Sequence, residues 1–159
     1  MTTFEPRLNL PKLSAESYRT MLALNSTTEK GALAAGLELP LLELVRIRAS
    51  QINGCAFCLD MHTKDARHAG ETEQRIHTLP AWRETPFYTE AERAALELTE
   101  AVTLIADGHV PDAVYESVAK VLTDEQIAAL TWVIVVINGF NRIAITQRTE
   151  VGTYVPGTH

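Results

Sequence analysis

The sequence predicts an all-α fold, and two observations lead to that prediction. The first is a pair of capping boxes, Thr89-x-x-Glu92 and Thr123-x-x-Gln126, each followed by apolar residues at helical spacing. The second is that one β-branched run, residues 132–137, resembles a buried strand, but no comparable run exists to pair with it. Because an unpaired strand leaves its backbone unsatisfied, we expect this run to lie in a buried helix.

The composition is typical of one soluble globular domain, which we place over residues 1–159. Hydrophobic residues make up 46% and charged residues 21% of the sequence, and a chain of this length buries a single core. The net charge of −6 repels phosphate backbones and anionic lipid, so we expect no nucleic-acid and no membrane partner. The start of the chain contains no apolar run of signal-peptide length, and we therefore expect a cytoplasmic protein.

Helix signals divide the first third of the chain. The arm from Phe4 to Leu13 carries two prolines, and we expect it on the surface or against another subunit. Ser14 offers an N-cap for the helix that follows. Residues 25–36 fit either a break or a second short helix. Pro40 suits the start of the next helix, which Asn53-Gly54 should end.

On that helix the apolar residues fall near one side, and Glu43 and Ile47 are expected to point away from it. By spacing alone, Glu43 is a surface residue paired with Arg46 three positions later. The later elements are predicted from caps, prolines and glycines. They are a cysteine-bearing helix to about Ala69 with Gly70 as its stop, a short segment capped by Thr72, a connection between Pro80 and Pro86, a helix from Thr89 to Gly108, a helix opened by Pro111, and a long helix from Asp124 to about Gln147.

Both cysteines of the chain lie within residues 53–62. If this stretch is helical from about Cys55, then Cys55, Cys58 and His62 share one face, with neighbouring Cβ atoms roughly 5–6 Å apart. That spacing permits a disulfide and lets the imidazole share a proton with Cys58. Two cysteines one turn apart cannot join distant parts of a fold, so a redox or metal role is favoured over a structural disulfide. We predict Cys58 as the nucleophile and Cys55 as the resolving thiol.

Less specific readings of the same residues stay open at this point. The two thiols could be buried and inert, or they could bind zinc together with His62 and Glu43, although three ligands on one helical turn are crowded for a tetrahedron. Four further side chains are read as core or interface residues that could line a pocket, namely Trp82, Trp132, Asn138 and Asn141.

Glu43, Cys55, Cys58 and His62 together fit the pattern Glu, eleven residues, Cys-x-x-Cys, three residues, His. In this pattern and in three flanking segments, residues 46–55, 70–75 and 81–84, the chain resembles the alkylhydroperoxidase AhpD-like branch of the carboxymuconolactone decarboxylase family. The resemblance extends over nearly the whole chain. It implies an all-α fold that assembles into trimers or hexamers, with a redox site in a cleft near the subunit interface.

The resemblance also implies a reaction. The second cysteine, here Cys58, would attack a peroxide and become a sulfenic acid, and Cys55 would condense with it to a disulfide, while Glu43 and His62 move protons. No cofactor is implied, and an external dithiol such as a thioredoxin-like or lipoyl-type protein would reduce the disulfide.

One position departs from the pattern. Well-understood members carry a histidine directly before the second cysteine, where this chain has Phe57. A general thiol-disulfide oxidoreductase with a non-peroxide substrate is therefore a rival reading, whereas the decarboxylation that names the wider family is not expected.

We further expect Glu43 and His62 to tune Cys58 rather than to stabilise the fold.

Overall fold

The computed structural model describes residues 4–157, and within that range the chain contains helices and no β-strand, which confirms the all-α prediction. The helices, in chain order, are α1 Leu10–Leu13, α2 Ala15–Ala34, α3 Leu39–Asn53, α4 Ala56–His68, α5 Glu73–Thr78, a 3₁₀ segment Leu79–Glu84, α6 Glu90–Thr103, α7 Asp112–Ala119 and α8 Asp124–Gln147.

The centre of the fold is α3, which packs against α4, α6 and α8. Nearly every residue from Leu41 to Ser50 on this helix is buried, including Glu43, Arg46 and Ile47. The expectation that Glu43 and Ile47 point away from the core is therefore wrong. Periodicity identifies the more apolar side of a helix, but it cannot show that neighbours cover the other sides as well.

The long helix α8 contains the β-branched run that could have been a strand. Its capping box at Thr123 and Gln126 is present, and it packs against α2, α3 and α6. By length and composition alone α8 could cross a membrane, yet 44% of its most apolar 18-residue stretch is buried inside the protein. The prediction of a buried helix is confirmed, although Trp132 and Val135 remain on its exposed side.

Three helix boundaries differ from the sequence predictions or answer a question that the sequence left open. The stretch left open at residues 25–36 continues α2 as far as Ala34, and the Thr27 and Thr28 hydroxyls donate to backbone carbonyls of the same helix. The arm contains one short helix, α1, capped by Asn9. The helix after the Thr89 capping box ends at Thr103 rather than Gly108, because residues 104–108 form turns.

The junction between α3 and α4 places the two cysteines. Gly54 adopts a left-handed backbone with φ of 68°, which glycine accepts without a Cβ penalty, and this residue ends α3. The Cys55 N–H then donates to the Ser50 carbonyl at 3.0 Å. The chain enters α4 at Ala56, so Cys55 is the cap of this helix rather than its first turn. Gly70, with φ of 97°, follows the end of α4 as predicted.

Candidate functional site

Cys55 and Cys58 are free thiols, and each is 1% exposed. Cys55 caps α4, and its sulfur accepts a hydrogen bond from the Cys58 backbone N–H at 3.4 Å. The unpaired N–H groups and the dipole of a helix N-terminus favour a negative charge. The sequence prediction of two adjacent thiols at a helix start is thus met, with Cys55 in the capping position.

The two thiols shift each other's pKa in opposite directions. A hydrogen bond from the Cys58 thiol lowers the pKa of Cys55 to about 7. Burial opposes this effect, whereas the Cys58 N–H and the Asn141 side chain add to it. The same hydrogen bond, together with burial and the charge on Cys55, raises the pKa of Cys58. The first proton therefore leaves from Cys55, whereas sequence spacing selected Cys58 as the more reactive thiol.

The carboxylate of Glu43 lies between a histidine and an arginine. His62 Nδ1 is 2.9 Å from Glu43 Oε2, and Arg46 Nη1 donates to Glu43 Oε1 at 2.6 Å. Arg46 also pairs with Glu29 through Nη2 at 2.8 Å. The expected pairing of Glu43 with Arg46 is present, but its expected surface position is wrong, since Glu43 is 5% exposed.

Burial alone would raise the pKa of Glu43. The hydrogen bond with His62 and the interaction with the positively charged Arg46 outweigh that effect, and they hold the pKa of this carboxyl below its usual value. Glu43 is therefore a fixed negative charge on α3 that orients the ring of His62 on α4. His62 lies one turn beyond Cys58 on the same helix, so the two side chains share a helix face.

The segment after α8 returns to α4 and adds side chains that the sequence analysis missed. The Tyr154 hydroxyl donates to Asp65 Oδ1 at 2.7 Å, and Lys64 Nζ donates to the Tyr154 carbonyl at 3.1 Å. The Gly152 N–H donates to Asp60 Oδ2 at 3.2 Å. These contacts join positions about ninety apart in sequence, so no local pattern could have revealed them.

Ligand atoms of Glu43, His62 and Asp65 lie within 4.8 Å of one another, which is close enough for metal coordination. Within the described part of the chain, this group contains neither cysteine, so it is not the zinc site considered from the sequence. Glu43 is already paired with Arg46, whose positive charge opposes a cation at this place. The arrangement fits a proton relay better than a metal centre.

A cleft of about 620 Å³ opens beside Cys55. Its walls include Cys55 and Phe57 from the start of α4, Ile145 near the end of α8, and Arg148 after it. Cys58 is not part of the lining, so Cys55 is the cysteine nearer to this cleft. Phe57, at the position of the expected relay histidine, gives the cleft an apolar wall.

Asn141 contributes more than the pocket wall expected from the sequence. It is completely buried on α8, donates through Nδ2 to Ser50 Oγ at 3.0 Å, and accepts from Asn53 Nδ2 at 2.9 Å. Its amide also acts to lower the pKa of both cysteines, because it favours the ionised sulfurs. The signal in the sequence was an asparagine in an apolar helix, which needs polar partners when it is buried.

The first prediction concerns the coupling between the two thiols. Cys58→Ala removes the thiol that donates to Cys55, so the pKa of Cys55 should rise from about 7 toward that of an ordinary cysteine. Alkylation of Cys55 at pH 7 should slow by about tenfold. The measurement is the pH dependence of the alkylation rate with iodoacetamide.

Cys55→Ala is the matched control, because it removes the acceptor and the charge that raise the pKa of Cys58. The midpoint for Cys58 should therefore move to lower pH. Midpoints that do not move in either variant would show that the thiols do not shift each other's pKa.

The second prediction concerns the part that Glu43 plays in stability, where its burial beside Arg46 argues against the expectation that it only tunes Cys58. Glu43→Gln leaves buried Arg46 with Glu29 alone, and we expect the free energy of unfolding to fall by about 1–3 kcal/mol at pH 7. The folded-state pKa of Glu43 is lowered, so its contribution is complete above the unfolded pKa of about 4.3 and is lost as pH falls through the folded value.

The difference between wild type and Glu43→Gln, measured by urea denaturation, should therefore be largest at pH 7 and shrink below about pH 4. Exposed Glu116→Gln on α7 is the control and should change stability little. A Glu43→Gln protein as stable as wild type at pH 7 would contradict a structural role for this carboxylate.

The sequence profile of the carboxymuconolactone decarboxylase family matches residues 18–101, a span that contains Glu43, both cysteines and His62. The chain is 44% identical to the uncharacterized protein YdfG of Bacillus subtilis strain 168 over 141 residues, which are 89% of this chain and 93% of YdfG. Neither finding by itself names a substrate.

Solved structures show the same fold. A protein of unknown function from Agrobacterium tumefaciens, described as a candidate AhpD antioxidant defence protein, matches with a TM-score of 0.85 and 42% identity, over 94% of this chain and 100% of that one. A peroxidase-related protein from Ralstonia eutropha JMP134, described as an AhpD core, matches with a TM-score of 0.72 over 87% of this chain and 72% of that one. At 18% identity the second likeness shows the fold alone.

The family profile covers more than half of the sequence, and the relative from Bacillus subtilis matches along nearly its whole length. The chain therefore belongs to the carboxymuconolactone decarboxylase family, in its AhpD-like branch.

Proposed function

We propose that this protein is a thiol-dependent peroxidase that reduces alkyl hydroperoxides or hydrogen peroxide through a cycle of Cys55 and Cys58 between dithiol and disulfide. The observation that carries the proposal is the pair of free, buried thiols at the N-terminus of α4, with the hydrogen bond between His62 and Glu43 one turn further along the same helix. The description of the Agrobacterium relative as a candidate antioxidant defence protein supports the same reaction class.

In the proposed reaction the Cys58 thiolate attacks one peroxide oxygen and the O–O bond breaks. Cys58 becomes a sulfenic acid, and the leaving alkoxide takes a proton to become the alcohol. The Cys55 thiolate then attacks the Cys58 sulfur, an S–S bond forms, and hydroxide leaves and is protonated to water. Two thiols are oxidised and one peroxide is reduced.

The acidity of the pair fits this division of roles. Because the singly ionised pair carries its charge mainly on Cys55, Cys58 must first pass its proton to Cys55 or to His62. Once Cys58 is a sulfenic acid, Cys55 is the remaining thiol, and its position at the N-terminus of α4 favours the thiolate that attacks. Cys55 also borders the cleft, so an external thiol would approach the buried disulfide from this side.

Glu43 and His62 are proposed as the proton relay. Glu43 accepts from the imidazole at 2.9 Å and is itself held by Arg46, so the ring is oriented by a charge that cannot move away. An imidazole held in this way can take the thiol proton and return it to the leaving alkoxide.

The cycle needs an electron donor, since each turnover leaves a disulfide. We propose an external dithiol, from a thioredoxin-like or lipoyl-type protein, which attacks the disulfide and leaves as a disulfide itself. Such a donor and free thiols both fit the cytoplasm.

A general thiol-disulfide oxidoreductase is the second candidate, and one observation favours it. Phe57 is an apolar side chain that cannot move a proton, whereas the Cys55 thiol of pKa about 7 at a helix start is suited to disulfide exchange. The two functions differ in whether peroxide or a disulfide oxidises the reduced protein faster.

The third prediction tests the peroxidase directly. One equivalent of alkyl hydroperoxide added to the reduced protein should remove two hydrogens from the peptide containing Cys55 and Cys58, as read by mass spectrometry. Cys58→Ser should abolish peroxide consumption, whereas Cys55→Ser should complete one turnover and leave a sulfenic acid that dimedone traps.

His62→Ala should slow the first turnover by roughly 10²-fold, as loss of a general base does, whereas His77→Ala, at an exposed histidine on α5, should not. Equal first turnovers in the two cysteine variants would reverse their roles. Oxidation that yields only intermolecular disulfides or over-oxidised cysteine would contradict the proposed cycle.

The fourth prediction concerns assembly into a closed homo-oligomer, a trimer or a hexamer. Large apolar side chains remain exposed on α8 and on the N-terminal arm: Trp132 is 55%, Val135 47%, Phe4 77% and Leu13 71% exposed. Such surfaces are commonly covered by symmetric association. Light scattering at micromolar concentration should give a multiple of the 17.5 kDa subunit mass.

Trp132→Glu should shift the protein toward the monomer, because it places a charge in the proposed interface. Tyr115→Glu on α7, where the native side chain is 46% exposed, is the control and should leave the mass unchanged. A monomer mass for the wild-type protein would contradict the assembly.

A further inference from the structure

We propose that the cleft beside Cys55 binds the carboxylate of an amphipathic organic hydroperoxide through Arg148 and Arg7. The inference rests on the proposed peroxidase and names its substrate class: an apolar body that carries a hydroperoxide at one place and an anionic group at another. The apolar body would lie on Phe57 and Ile145, with the peroxide toward the dithiol.

The shape and lining of the cleft suit such a molecule. Its volume of about 620 Å³ is that of a site for a small organic ligand. Apolar side chains supply much of its surface, and they are Phe4, Phe57, Ala144, Ile145 and Val151. A second cleft of about 560 Å³ adjoins it and shares five lining residues with it, so an extended ligand has room beyond the cysteine. The shared residues are Arg7, Phe57, Arg148, Thr149 and Glu150.

Two positively charged side chains, Arg7 and Arg148, line the apolar cleft and pair with no carboxylate among the described residues. The guanidinium groups of Arg7 and Arg148 form no ion pair with any of residues 4–157, whereas Arg46 and Arg75 each pair with two carboxylates. Arg148 instead lies over the Phe4 ring, 5.0 Å from its centre. Glu150 is the one acidic residue that lines either cleft, which leaves one positive charge in excess.

The backbone of Arg148 provides an independent indication. Its φ is 55°, a left-handed conformation that glycine or asparagine adopts at lower cost at the end of a helix. The turn is held by hydrogen bonds from the Arg148 and Thr149 N–H groups to α8 carbonyls. An arginine occupies a turn position that favours glycine or asparagine, and ligand binding by its side chain would offset that conformational cost.

The chemistry of the pair fits the ligand. A planar guanidinium donates two parallel hydrogen bonds to a carboxylate, and apolar surroundings strengthen that contact. The carboxylate takes no part in the redox step: the hydroperoxide becomes an alcohol, the two thiols become a disulfide, and water is released. Recognition and reaction therefore use different ends of the substrate.

The fifth prediction uses two probes that differ by one carboxylate, 4-(2-hydroperoxypropan-2-yl)benzoate and cumene hydroperoxide. We expect the wild-type kcat/KM for the carboxylated probe to exceed that for the neutral probe by about tenfold at low salt. Arg148→Gln should bring this ratio close to one, and Arg148→Lys should restore part of it. Arg19→Gln, at an exposed arginine on α2 that lines neither cleft, should keep the wild-type ratio.

A binding measurement separates this inference from the peroxidase. The unreactive 4-isopropylbenzoate should bind the reduced wild-type protein about tenfold more tightly than Arg148→Gln, as measured by calorimetry. If it does so while neither hydroperoxide is consumed, the anion site stands and the proposed peroxidase is wrong. A wild-type ratio near one, or equal affinity of both proteins for the benzoate, would overturn the inference.

Discussion

The ion pair between Glu43 and Arg46 on α3 is the interaction on which the site depends. It places a negative charge in the middle of the most buried helix, where an uncompensated carboxylate would be protonated. Because Arg46 compensates it, Glu43 remains ionised and can fix the ring of His62 on the neighbouring helix. The packing of α3 against α4 thus combines apolar contact with a buried hydrogen bond between a carboxylate and an imidazole, the pair proposed as the proton relay.

The dithiol depends on a second local constraint, the turn between the same two helices. Left-handed Gly54 ends α3 and lets Cys55 take the capping position of α4, so the Cys55 sulfur meets the Cys58 N–H. From α8, the buried amide of Asn141 reaches the two thiols and Ser50. Three helices therefore meet at the cysteines, and the helix that supplies much of the apolar core also supplies the polar group that stabilises a thiolate.

The features that the sequence predicted correctly are those that depend on a few neighbouring residues. Both capping boxes, Gly54, Gly70 and the Cys-x-x-Cys spacing could be found in the sequence because a cap, a left-handed turn or a helical face involves only a few neighbouring residues. The burial of Glu43, the contact of Tyr154 with Asp65 and the placement of Arg148 beside Cys55 depend on segments distant in sequence. The acidity of Cys55 could not be predicted either, since it follows from one hydrogen bond between the thiols whose direction spacing does not reveal.

The stabilised thiolate has a thermodynamic consequence for the disulfide. The Cys58 N–H and the Asn141 amide favour negative charge on sulfur, and that charge is lost when the two sulfurs join. Groups that stabilise the reduced form make a disulfide easier to reduce, as is known for dithiols with an acidic cysteine at a helix start. The same features that favour a thiolate on Cys55 would help the proposed external dithiol to regenerate the pair, and they favour a centre that turns over rather than one that stays oxidised. A structural disulfide needs the opposite balance, which agrees with two cysteines that join no distant segments of the fold.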